Sequence, residues 1–140
     1  MRYKLLLFLL ITFCGCAHPY IGQNVTPSVQ NGWRWIYSDK ESCEIKTEHI
    51  NFMFTVERDA ATGEYLINGY MEPAGIKSFS NFHTAKSNFN FVFADNGVIT
   101  DVVSFMPMGF STVKNRTPIK LRIKTKPFNA ITVQYEFYVS

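Results

Sequence analysis

Along most of the chain, large apolar and polar side chains take turns with a period of two, the pattern of strands that set one face in a core and the other in water. Ile50, Phe52, Phe54 and Val56 alternate with Asn51, Met53, Thr55 and Glu57. The run Asp59-Ala60-Ala61-Thr62-Gly63 has turn composition and leads into Tyr65 to Met71, which predicts a hairpin. Phe89, Phe91 and Phe93 alternate with Asn88, Asn90 and Val92, and Asp95-Asn96-Gly97 then turns into Val98 to Phe105. Asn-Gly favours the positive φ angles of a type I′ turn, whose twist suits paired strands. A two-residue loop there sets Phe93 opposite Thr100 and Phe91 opposite Val102.

A last pair is expected from Ile119 to Lys126 and from Ile131 to Val139, separated by Pro127-Phe128-Asn129. In the final strand Ile131, Val133, Tyr135, Phe137 and Val139 point one way, and Thr132, Gln134, Glu136 and Tyr138 the other. Trp33, Trp35 and Tyr37 form a short opening strand by the same alternation. Helical periodicity is weak, with only Ser78 to Ser87 ambiguous. About seven strands joined by turn signals predict an all-β fold, an antiparallel β-sandwich. The succession of hairpins leaves a small up-and-down β-barrel as the alternative.

The first residues follow a different rule. Met1-Arg2-Tyr3-Lys4 is basic, and Leu5 to Phe13 is almost entirely apolar, as in the n- and h-regions of a signal peptide. Leu5 to Cys16 is far shorter than the roughly 20 apolar residues a helix needs to cross a bilayer. The following Phe13-Cys14-Gly15-Cys16 resembles the lipobox of bacterial lipoproteins, in which a small residue precedes a cysteine that receives a diacylglyceryl group before cleavage. Gly15 and Cys16 fit that pattern, whereas Phe13 stands where the family usually has Leu. The resemblance implies lipidation of Cys16, three acyl chains in the Gram-negative family, and, with Ala17 next, sorting to the outer membrane facing the periplasm. Multiple acyl chains give stable attachment. The other reading is an ordinary secretory signal cut after Ala17, which leaves a secreted or periplasmic soluble protein.

The expected organisation is a signal over residues 1–16, a Pro- and Gly-containing tether over 17–32, and one all-β domain over 33–140. Processing removes Arg2 and Lys4, so 12 of the 14 basic residues then face 11 acidic ones. The domain is nearly neutral, and nucleic acid is not an expected partner. Of the three cysteines, Cys43 alone falls within it. A buried apolar residue is the commonest role for such a cysteine, and a bridge to Cys16 becomes possible if Cys16 is not lipidated.

Two surface features are candidate contacts. Lys120, Arg122, Lys124 and Lys126 share one strand face, and no acidic residue falls between Asp101 and Glu136. They suit an anionic lipid, lipopolysaccharide or an acidic partner, although the commoner role of such a row is a solvated strand face or an edge strand guarded by lysines against self-pairing. Met106, Met108 and Phe110 lie in a Pro- and Gly-interrupted stretch that either lines an apolar contact or closes one end of the core. His49 and His83 have no accompanying catalytic motif or metal-ligand spacing, so no enzyme activity, cofactor or metal is expected. These features together point to a lipid-anchored binding or assembly module of the envelope. The alternative is a carrier holding an apolar ligand in a barrel lumen.

Overall fold

The computed structural model describes residues 18–74, 88–106 and 116–136. Its strands are β1 (Arg34–Trp35), β2 (Lys40–Lys46), β3 (Ile50–Arg58), β4 (Tyr65–Pro73), β5 (Asn88–Asp95), β6 (Val98–Phe105), β7 (Thr117–Ile123) and β8 (Ala130–Glu136). They form two four-stranded antiparallel sheets, in the orders β1-β8-β5-β6 and β2-β3-β4-β7. The sheets face each other as a β-sandwich and do not close into a barrel. That removes the barrel alternative, and with it the lumen on which the carrier reading depends.

The core follows from the alternation. Ile50, Phe52, Phe54 and Val56 of β3 are buried, and their neighbours in the strand are not. Aromatic rings stack through the sandwich in three layers. Phe52 meets Phe89 across the gap at 6.3 Å between ring centroids, and Phe54 meets Phe91 edge-on at 5.2 Å. Phe128 lies 4.6 Å from both Tyr65 of one sheet and Phe93 of the other. Burying such a side chain contributes roughly 1.5–3 kcal/mol, so the phenylalanines dominate the cohesion of the two sheets.

The β3–β4 hairpin forms as expected and closes at Asp59. The Asp59 carboxylate accepts from the amides of Ala61 (2.9 Å) and Thr62 (3.4 Å), while Gly63 adopts φ 71° and donates back to the Asp59 carbonyl. The Ala61 amide is the main reason that the Asp59 carboxyl sits below its ordinary pKa. Further along the hairpin, Gly69 faces Phe54, and a Cβ there would lie 2.0 Å from the Met53 carbonyl oxygen. Any larger residue would push the two strands apart.

The β5–β6 turn also forms as expected. Asn96 (φ 48°) and Gly97 (φ 79°) both take positive φ, the type I′ signature. The expected register holds only for two pairs, Asp95 with Val98 and Ala94 with Ile99. A bulge then shifts the ladder, and Phe93 faces Asp101 and Phe91 faces Val103 in place of Thr100 and Val102. One extra residue in a strand reverses which side chains point inward. Here the shift brings Val103 and Phe105 into the aromatic core, where an unbulged ladder would set Ser104.

One expectation about strand pairing is corrected. β7 and β8 are not a hairpin: β7 pairs with β4 in one sheet, and β8 pairs with β5 and β1 in the other. The chain from Lys124 to Asn129 crosses between the sheets and carries Phe128 into the core. Its far side is pinned by Asn129, which exchanges side-chain and backbone hydrogen bonds with Asn96. In addition, β2 is a strand that the hydrophobic pattern did not announce, with Cys43 and Ile45 as its only buried residues.

The stretch expected to be a tether is, from residue 18 onward, part of the domain. Asn24 bridges to Val98, and Gly22, Gln23 and Val25 hydrogen-bond with the backbone of Gly97 and Ile99. Tyr20, Val25, Trp33 and Trp35 pack on Val92, Ala94, Ile99 and Ala130, which face outward from the β1-β8-β5-β6 sheet. A second, smaller core therefore lies outside the sandwich proper. Trp33 is buried there, and Tyr37, read as its strand-mate, lies beyond β1 and is 81% exposed.

Candidate functional site

The strand directions define two ends of the sandwich. At one, the entry end, the start of β3 meets the end of β8, with Thr47 and Tyr135 sharing a hydrogen bond between their hydroxyls. His18 and Tyr20 lie beside Asn90, Gln134 and Glu136 in this half of the molecule. The other, far end holds the turns at Asp59 and Asn96 and the crossing segment with Phe128. β3 and β4, each nine residues long, run between the two ends.

The basic row lies on the outer face of β7, the edge strand of its sheet. Lys120 and Arg122 point outward, opposite Asn68 and Leu66 of β4, and Lys124 and Lys126 continue the row past the strand towards the far end. Arg122 is neutralised by Glu64 at 3.0 Å and Asp59 at 3.6 Å. Other cations of this sheet are matched similarly: Lys40 with Glu57, Lys46 with Glu44, and Arg116 with Glu72. Arg116 also lies over the Tyr70 ring, 4.3 Å from its centroid. Among the described residues, no carboxylate forms an ion pair with Lys120, Lys124 or Lys126.

Where the row reaches the far end it borders an open cleft of about 490 Å³. Its walls come from four parts of the chain: Ile36 to Asp39 between β1 and β2, Arg58 at the end of β3, Tyr65 at the start of β4, and Pro127 with Phe128. Tyr65 and Phe128 are buried and make an aromatic floor, while Tyr37, Ser38, Asp39 and Arg58 are exposed at the rim. Sequence reading missed this grouping. Its one visible trace is Pro127-Phe128, an aromatic residue inside an expected turn.

The remaining candidates fall in separate places. Met106 follows β6 and is 80% exposed, whereas Met108 and Phe110 lie outside the described residues, as do Cys16 and His83. Cys43 is buried against the core, and desolvation, aided by Glu41 and opposed by Arg34, pushes its thiol up to about 11. A thiol so poised is a packing group, since the thiolate is the reactive form. His49 sits just before β3 with the Glu48 carboxylate 3.9 Å away. His18 packs its ring on Tyr20 at 4.8 Å. Asp95 flanks the turn as expected, and the Asp101 carboxylate accepts from the Val102 amide beside the bulge. Among the described residues, no group of three or more His, Cys, Asp and Glu side chains is placed to hold a metal ion. No family model, curated protein or solved structure matches this chain.

Proposed function

We propose that this chain is a lipid-anchored lipoprotein of the bacterial envelope, attached through Cys16 to the outer membrane and facing the periplasm. Its sandwich acts there by binding or assembling with a partner and carries out no chemical step. The observation that carries this reading is the apolar run Leu5 to Phe13 ending in Gly15-Cys16, four residues before Tyr20, which packs on the β1-β8-β5-β6 sheet. Four residues of extended chain span at most about 14 Å, so acyl chains on Cys16 would keep the entry end of the sandwich close to the bilayer. The exposed cations Lys120, Lys124 and Lys126 supply the contact surface, and Met106 a smaller apolar one.

The direct test is the intact mass of the protein extracted from bacterial membranes in mild detergent, beside a Cys16→Ser variant. The expected result is a mature chain starting at Cys16 with the added mass of three acyl chains, which the variant lacks. A bare chain recovered from the soluble fraction and starting at His18 would refute the anchor.

A further inference from the structure

We propose that the β6 edge is the place where a second copy of this chain would add to the sandwich, and that Asp101 keeps it closed by holding the Val102 amide and setting a charge on the inner side of the strand. It depends only on β6 and stands whether or not Cys16 is lipidated.

An edge strand offers unpaired N–H and C=O groups to any strand that meets it, and the two described sheets end in β1, β6, β2 and β7. β1 is two residues long, too short to template a partner. β2 exposes Lys40, Glu44 and Lys46, and β7 exposes Lys120 and Arg122 and contains Pro118, which has no amide to give. β6 is built differently. Val98, Ile99, Val102, Val103 and Phe105 make it apolar and rich in β-branched residues, and Asp101 is its only charged side chain.

The register locates the open groups. Ile99 turns its amide and carbonyl away from β5 and bonds with Gln23 and Gly22, which closes the hairpin end of the edge. Beyond the bulge, alternation along the ladder turns the backbone groups of Val102 and Ser104 outward in the same way. Among the described residues no other strand pairs on that side of them. The Val102 amide, however, is already given to the Asp101 carboxylate at 2.8 Å. Asp101 faces Phe93 across the ladder, so its side chain lies on the inner face of the sheet with Val103 and Phe105. A bulge and an inward-facing charge are both means by which an edge is kept from pairing.

Two copies of β6 meeting antiparallel about Val103 would pair Val102 of each with Ser104 of the other. That ladder needs the Val102 amide of both copies, and Asp101 holds it in both. The same approach would set each Asp101 opposite Phe105 of the other copy, taking a carboxylate out of water with no cation on either strand to meet it. Without Asp101, β6 is the apolar open edge expected to self-pair.

The test is sedimentation velocity of the full chain in density-matched detergent micelles, which leave two copies free to meet antiparallel, with amide hydrogen exchange to locate the contact. The parent is expected to stay monomeric. Relative to its intrinsic rate, its Val102 amide should exchange more slowly than the Ser104 amide, the one held and the other open. Asp101→Val should associate at least about tenfold more tightly than the parent, the scale of a recovered hydrogen bond in each copy. Its Val102 and Ser104 amides should slow as concentration rises. Asp101→Asn, which keeps an oxygen for the Val102 amide and loses the charge, should fall between. Asp39→Val, the same replacement in the exposed link before β2, should behave like the parent. A folded Asp101→Val that stays monomeric would overturn the proposal, as would association that protects β2 or β7 in place of Val102 and Ser104. So would a parent that itself pairs through β6, or equal exchange of its Val102 and Ser104 amides, results that need no variant to fold.

Discussion

Outward from the β1-β8-β5-β6 sheet point Val92, Ala94, Ile99 and Ala130, and residues 18–35 lie across them with Tyr20, Val25, Trp33 and Trp35. Outward from the β2-β3-β4-β7 sheet point Lys40, Glu44, Lys46, Glu57, Asn68, Glu72, Lys120 and Arg122, several of them held in solvent-exposed ion pairs, Lys40 with Glu57 and Lys46 with Glu44. Both sheets alternate with the same period and share one aromatic core, yet only the first carries a second layer. What differs is the size and polarity of the outward set. Small apolar residues leave room and apolar area for two indole rings, whereas charged ones satisfy themselves in water. The consequence is that residues 18–35 are fixed along one sheet, and the charged sheet and the far-end cleft are left as open surface.

Four variants probe this contrast, the largest effect first and set beside its control on the other sheet. Trp33→Ala should remove about 3–5 kcal/mol of unfolding free energy, the usual cost of truncating a buried Trp. Leu66→Ala, on the outer face of the charged sheet, should cost less than about 1 kcal/mol, as most surface changes do. Denaturant titration of the two variants side by side measures the difference, and equal effects would mean that residues 18–35 do not stabilise the sheet beneath them. Gly97→Val should cost about 1–3 kcal/mol, because a β-branched side chain must then adopt positive φ. Its Cβ would also meet the Val25 carbonyl oxygen at 3.0 Å, so the strain is passed to the covering segment. Unchanged thermal stability would contradict the turn geometry. Replacing Lys120, Lys124 and Lys126 by Gln together should shift stability by no more than about 0.5 kcal/mol per site, read by thermal melting. Loss of folding would mean that the row faces inward.

Much of this was legible where a strand carries its own alternation. β3, β4, β5 and β8 each have three or more large apolar residues on one face, and Asn96-Gly97 is a turn whose backbone needs are written in two residues. β2 escaped because Cys43 and Ile45 alone mark its inner face, too few to stand out from loop composition. The bulge at Thr100 escaped for a different reason: it is set by which of Ser104 and Phe105 the opposite sheet will accept, a property of the partner surface. β7 and β8 were read as a hairpin because a short link joins them, but Phe128 in that link is long enough to plug the gap between sheets. The segment 18–32 resembles a spacer in its prolines and glycines, and only the apolar outward face of β5 and β8 gives Tyr20 and Val25 somewhere to lie. The cleft, drawn from four separate stretches, has no linear signature.

The central claim is that a lipid on Cys16 and a docked segment 18–35 together fix the entry end at the membrane and the cleft away from it. Cys43 is buried with a poorly ionised thiol, so a single added cysteine can be spin-labelled without competition. Labels at Asn90→Cys and Lys126→Cys, in the lipidated chain on vesicles bearing nickel-chelating lipids, report each site's proximity to the headgroups by relaxation enhancement. The account predicts strong enhancement at position 90 and little at position 126. Equal, weak enhancement at both would contradict it, because it would show the domain swinging freely on a spacer.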